Sequence, residues 1–146
     1  MAQDYFDAMA DKWASKKYAN IPEHARPKPK RAPETSNGIA KNILLYCKYK
    51  KLFCRRISSE GRFRPGETVT DAIGRKQTLP GKWLPGLLVG MPDIMIIKGG
   101  QFIGLEIKVG KDKLSAIQKA TGGDIIQAGG KFIVVKTFDD FLNLDL

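Results

Sequence analysis

One histidine and two cysteines in 146 residues are too few for several common chemistries. Zinc sites draw on three or four thiolates and imidazoles, and Cys47, Cys54 and His24 cannot supply them. No apolar run approaches the roughly 20 residues needed to cross a bilayer. The longest apolar stretches, such as that over residues 93–97, are strand-sized. The opening Met-Ala-Gln-Asp is acidic and lacks the features of a secretory leader. The expectation is therefore a reducing cytoplasm, with Cys47 and Cys54 as free buried thiols rather than a disulfide. The glycine-rich stretch 86–90 is followed by no Gly-Lys-Ser/Thr, which excludes a P-loop. No internal repeat is present.

What the chain has in excess is positive charge. The formal net charge is +10, from 25 Lys and Arg against 15 Asp and Glu. The excess is concentrated: residues 34–92 carry 11 basic and 4 acidic side chains, whereas residues 93–146 carry 7 of each. A concentrated positive field favours polyanions, nucleic acid before acidic membrane. A solvated basic surface with no partner is the plainer alternative. The length suits one domain, and at 42% hydrophobic the chain can bury one core.

Residues 4–18 read as a short amphipathic helix with Phe6, Met9, Ala10 and Trp13 on one face. Acidic residues lie early and lysines late, which suits the helix dipole. Four prolines among Lys and Arg between Pro22 and Pro33 read as an extended basic linker. Residues 1–33 are thus expected to be an appendage, and its helix a candidate surface for a homodimer. The compact domain is expected over 34–146. Thr35 or Ser36 caps a helix to about Lys51, with Ile39, Ile43, Tyr46 and Cys47 facing the core. A strand over 52–57 follows, then a polar, Gly/Pro-rich segment over 58–90, part of it a small hairpin. Residues 93–98 form a strand, Gly99-Gly100 a tight turn, and residues 101–109 the returning strand. A helix over 114–128 presents Leu114, Ile117, Thr121, Ile125 and Ala128 on one face and stops at Gly129-Gly130. A strand over 131–136 and a helix over 138–144 complete an α-β-β-β-α-β-α order. The fold class is α/β, a mixed central sheet flanked by helices.

Counting across the turn brings charged side chains together. Its centre lies between residues 99 and 100, so Asp93 falls opposite Glu106. Strand alternation puts Glu106 and Lys108 on one face with Ile107 opposite. Two carboxylates form a hard oxygen site suited to Mg²⁺ or Mn²⁺, which polarises a phosphodiester. Lys108 can stabilise the transition state or orient and deprotonate the attacking water. A cross-strand ion pair on a solvent face is the competing reading. Arg forks suit phosphate oxygens, and Arg55 and Arg56 must face opposite sides of their strand. Trp83 and Phe63 could stack on bases, but anchoring a core or loop is the reading preferred for them.

Gly90-Met-Pro-Asp93 followed by Gly104-Leu-Glu-Ile-Lys108 resembles the PD-(D/E)XK nuclease superfamily. The nearest likeness is to its VRR-NUC type, found stand-alone in phages and as a module of larger repair enzymes. Pro92-Asp93 matches the first acidic motif, Glu106-Ile107-Lys108 the E-x-K, and Leu114 to Gln118 the L-S-x-x-Q opening of the next helix. The likeness covers about residues 36–142. It implies a restriction-endonuclease-like αβββαβ core and metal-dependent hydrolysis of DNA in a bacterial or phage-infected cell. The substrate implied is branched or structured DNA, and a homodimer would suit a four-way junction. Asp93, Glu106, Lys108 and Gln118 would be catalytic, with Asp93, Glu106 and Ile107 at the metal. Gln118 would meet a metal-bound water or the scissile phosphate. Arg55, Arg56, Arg62 and Arg64 would bind DNA, with Arg56 and Arg62 favoured. An alternative is a nucleic-acid-binding module whose nuclease site has decayed. Family members often carry a Glu in the first helix of the core. Here Ser36 or Asn37 stands in its place, with Glu34 at the helix entrance.

Overall fold

The computed structural model describes residues 2–28, 30–57, 61–86 and 88–146, with side chains from Phe6 onward. The chain is a mixed α/β protein built on a four-stranded mixed sheet with helices on both faces. The order of its strands is β1 (Phe53–Arg56), β6 (Ile94–Lys98), β7 (Gln101–Ile107) and β8 (Lys131–Val135). β1, β6 and β7 run antiparallel in sequence, and β8 lies parallel to β7. Among the described residues, no helix is long and apolar enough to cross a membrane.

One sheet face is apolar because Ile94, Ile96, Ile103, Leu105 and Ile107 alternate with the other side chains of β6 and β7. Helix α2 (Ser36–Lys50) covers it with Ile39, Ile43, Tyr46 and Cys47, all buried as their spacing requires. The Thr35 hydroxyl caps this helix by accepting from the Gly38 amide at 3.1 Å. Lys51, left-handed at φ 57°, ends it. Helix α4 (Phe138–Leu142) adds Phe138 and Phe141 to the same core. Cys47 and Cys54 are free and buried.

Helix α1 (Ala2–Lys17) corrects the expectation of an appendage. Phe6, Ala10 and Ala14 are buried, and the Phe6 ring meets Phe138 edge-on at 5.4 Å between centroids. Burying a phenylalanine is worth about 1.5–3 kcal/mol, so α1 belongs to the core. The proline-rich segment is also fastened. Buried Asn42 accepts from the Ala32 amide at 2.8 Å and donates to the Ala32 carbonyl at 3.1 Å. Two polar groups are thereby satisfied, and the linker is held against α2.

The opposite sheet face carries helix α3 (Ala116–Gln127). Its inner face is the expected one in part, with Leu114, Thr121 and Ile125 half-buried. Ile117 and Ala128 are exposed, and only Gly122 is fully buried, under the Phe132 ring. A Cβ at Gly122 would come within 2.7 Å of that ring, so the glycine sets how closely α3 approaches β8.

Between β1 and β6, residues 61–86 form one long hairpin. β2 (Arg62–Arg64) pairs with β5 (Lys82–Leu84), and β3 (Thr68–Thr70) with β4 (Lys76–Thr78). Arg62 lies opposite Leu84 and Thr68 opposite Thr78, pairs with the same sum of residue numbers. The Leu79 amide bonds the Glu67 carbonyl at 2.9 Å in that same register. The two ladders are therefore one arm with a constant register, interrupted at Pro65-Gly66 and Pro80-Gly81. The expected small hairpin is thus larger than its sequence suggested. Ser58, Ser59 and Glu60, just before Arg62 in sequence, lie outside the described residues.

Candidate active site

The register of β6 and β7 decides whether the acidic pair converges. Ile94 lies opposite Leu105, so Asp93 at the head of β6 falls across from Glu106. Partners across a ladder share a face. Asp93, Glu106 and Lys108 therefore share the α3 side of the sheet with Met95 and Gly104. Two glycines shape the approach. Gly90 has φ +85°, and a Cβ there would meet the Ile117 side chain of α3 at 2.4 Å. Gly104 faces Pro92, whose Cγ would stand 2.7 Å from an added Cβ. The segment 90–93 thus slides between α3 and β7 because both positions lack side chains.

Asp93 is fixed from two directions. Its Oδ2 accepts from the Ile107 amide at 2.8 Å, and its carbonyl accepts from the Ile57 amide at 2.8 Å. The Ile107 carbonyl points to the same strand edge as that amide, because both groups of a strand residue point one way. It is the part of Ile107 able to meet a cation.

Glu106 is 1% exposed. Its Oε1 accepts from the Gln118 side-chain amide and from the Lys108 ammonium, the latter at 3.1 Å. Its Oε2 is buried and has no hydrogen-bond partner. Burial, then the neighbouring Asp93 charge, push the Glu106 carboxyl above its ordinary range, with Lys108 and the Asp93 amide opposing. Burial alone would lower the Lys108 ammonium, but its hydrogen bond to Glu106 and the charges of Glu106 and Asp112 outweigh this and raise it. Asp112 Oδ2 lies 3.6 Å from Nζ. A lysine held charged suits stabilisation of negative charge better than removal of a proton.

Gln118 is engaged at both ends. Its Nε2 donates to Glu106, and its Oε1 accepts from the Ser115 amide at 2.9 Å. The Ser115 hydroxyl in turn accepts from the Gln118 amide, completing a capping box at the start of α3. Gln118 thus hydrogen-bonds the Glu106 carboxylate directly. Its S-x-x-Q spacing was the available signal.

The basic residues divide. Arg55 pairs with Met95 and so shares the face of Glu106; it donates to the Cys54 carbonyl at 2.9 Å and lies over the Phe53 ring. Arg56 pairs with Ile94 on the opposite face, where its Nη2 donates to Asn37 Oδ1 at 2.7 Å. Arg62 and Arg64 sit on the arm, and Arg64 bonds Glu67. Glu34 is spent elsewhere: it accepts from Arg31 and from the Phe138 amide at 3.0 Å. Asn37 and Asp112, linked to Arg56 and Lys108, were not singled out for those roles from the sequence. Phe63 and Trp83 stand outside the core, and both are exposed.

Among the described residues no three Asp, Glu, His or Cys side chains converge. The donor set is two carboxylates and a main-chain carbonyl. The unpartnered Glu106 Oε2 is the observation that fits a hard cation to this set. Compared with protein-family models and with curated proteins, the chain finds no match.

Proposed function

We propose that the chain is a divalent-metal-dependent endonuclease hydrolysing DNA phosphodiester bonds, with branched or structured DNA as its substrate. The observation that carries this reading is the buried Glu106 carboxylate beside Asp93, held through one oxygen and bare at the other. Leaving a buried acceptor unsatisfied costs about 1–3 kcal/mol, and a cation would complete it. Asp93, Glu106 and the Ile107 carbonyl would hold Mg²⁺ or Mn²⁺. The bound ion would supply Lewis-acid polarisation of the phosphodiester and neutralise charge as it develops. Lys108, kept protonated by Glu106 and Asp112, would stabilise the charge gathering on the phosphoryl oxygens. Gln118 holds the Glu106 carboxylate in one orientation, so that its free oxygen need not reorganise. Arg55 on the same face, with Arg62 and Arg64 on the arm, would contact phosphates; Arg56 would do so from the Asn37 side.

The ordered set Gly90 to Asp93, Glu106-Ile107-Lys108 and Ser115 to Gln118 supports a restriction-endonuclease-like core of the VRR-NUC type. The preference for branched DNA rests on that likeness, and the net charge of +10 supports a polyanion. A binding module with a decayed site is the second reading. It is favoured by the absence of a third carboxylate among the described residues and by the commitment of Glu34 to Arg31 and α4. Incubation with labelled linear, flap and four-way DNA in Mg²⁺ or Mn²⁺ separates the two. The nuclease reading expects cutting of the structured substrates that is lost in Asp93→Asn and Lys108→Ala. Binding without cutting under either metal would establish the second reading.

A further inference from the structure

The arm over residues 61–86 has two faces of different chemistry. Its constant register places Arg62, Arg64, Lys76 and Lys82 on one face. Phe63, Val69, Leu79 and Trp83 fall on the other, and these four are 41–68% exposed. At the tip, Asp71 Oδ1 accepts from the amides of Ile73 and Arg75, which orders the turn and leaves Ile73 74% exposed. No helix or strand of the body packs substantially on the arm among the described residues.

The aromatic pair is arranged as a platform. Phe63 and Trp83 are cross-strand partners, with ring centroids 6.3 Å apart and planes 33° from parallel. Each ring lies over a glycine: a Cβ on Gly81 would meet the Phe63 ring at 2.3 Å, and one on Gly61 the Trp83 Nε1 at 2.9 Å. The glycines let the rings lie against the backbone, which turns their other π-faces to solvent. Arg64 reaches Glu67, a residue of the aromatic face, so the cations are not confined to one side.

Bases stack on flat aromatic faces, and phosphates follow lysines and arginines. A fork in a nucleic acid presents both partners at once. The last base pair exposes a flat π-surface, and a phosphate chain diverges from it. We infer that the arm is a wedge for nucleic-acid forks, with Phe63 and Trp83 stacking on the terminal or unpaired base and the basic face following the diverging strand. The inference rests on the reading of the chain as acting on nucleic acid, and deepens it by assigning recognition of the branch to the arm. Residues that flank the arm in sequence meet Asp93: Ile57 bonds its carbonyl, and Gly90 opens the segment that carries it.

The chain has two tryptophans, so Trp13→Phe leaves Trp83 as the sole indole reporter. Its emission is followed in EDTA, where no cutting occurs, with a fork, a linear duplex of the same sequence, and heparin. The wedge expects the fork to quench Trp83 and to bind about tenfold more tightly than the duplex. Heparin should bind without quenching. In an otherwise unchanged chain, Phe63→Ala with Trp83→Ala should abolish the preference for the fork and leave duplex binding. Arg62→Ala with Lys82→Ala should weaken binding to both DNAs and reduce the salt dependence. Equal quenching by heparin, or a fork preference that survives loss of both rings, would overturn the wedge. So would a change in Trp83 emission with protein concentration alone, which would mean that a second copy covers the face. Asp93→Asn should leave the quenching intact, so failure of the cleavage reading and failure of the wedge are separately visible.

Discussion

Gln118 holds Glu106 by one carboxylate oxygen only, and the other oxygen, though buried, completes no hydrogen bond. The amide that makes this bond is itself locked, because its oxygen accepts from Ser115 at the mouth of α3. Helix capping and site geometry are one device here. Gln118→Ala should lower Mn²⁺ affinity and cleavage by about 10–100-fold, the usual cost of removing an orienting partner. It should also destabilise the fold by about 1 kcal/mol through the lost cap. Calorimetric titration and urea unfolding measure the two effects separately. Unchanged metal affinity would assign Gln118 to capping alone.

The Glu106 carboxyl sits above its ordinary value of 4.5 in the folded chain, chiefly through burial. The folded state therefore binds this proton more tightly than the unfolded state does. The associated stability is present below 4.5 and is lost as pH rises through the raised value. Urea unfolding of the metal-free chain at successive pH values from 4.5 upward should show this decline, and Glu106→Gln should lack that part of it. Parallel curves for the two proteins would contradict the assigned burial. Asp140 contributes with the opposite sign at lower pH. Its carboxyl is held below 3.8, first by the Lys136 amide, so that stability is lost as pH falls.

Gly104 admits Pro92 beside β7, and Pro92 precedes the aspartate of the site. Gly104→Ala should cost about 1–3 kcal/mol, because buried proline and strand backbone must move apart. Cleavage should fall further than stability alone explains, since Asp93 moves with Pro92. Thermal unfolding and single-turnover cutting, compared with Gly99→Ala, provide the test. Gly99 has open space around a Cβ but φ +58°, so its variant reports backbone strain remote from the site.

Much of this arrangement was legible in the sequence. The Gly99-Gly100 turn fixes the register of β6 and β7, so counting alone set Asp93 opposite Glu106. The helical period of Ile39, Ile43, Tyr46 and Cys47 likewise named the inner face of α2. Partners distant in sequence were not legible. Phe6 is buried because Phe138 arrives from the far end of the chain, and no local pattern announces that meeting. The inner face of α3 was read only in part: Leu114, Thr121 and Ile125 do turn inward, but Gly122 is buried for its smallness and Ile117 stays exposed. The arm was hidden because Pro65-Gly66 and Pro80-Gly81 break the strand alternation without changing the register.

The packing of α1 has its own test. Phe6→Ala should destabilise the chain by about 3–5 kcal/mol, the range for truncating a buried phenylalanine. A change below about 0.5 kcal/mol, typical of surface sites, would restore α1 to the status of an appendage.

The most direct test of the site is titration of Mn²⁺ into the metal-free chain by calorimetry in two buffers of different ionisation enthalpy. The expected result is one saturable site whose affinity rises with pH and whose filling releases protons from the raised Glu106 carboxyl. Binding should be lost in Asp93→Asn and in Glu106→Gln. Absence of binding, or binding that both variants retain unchanged, would contradict the account.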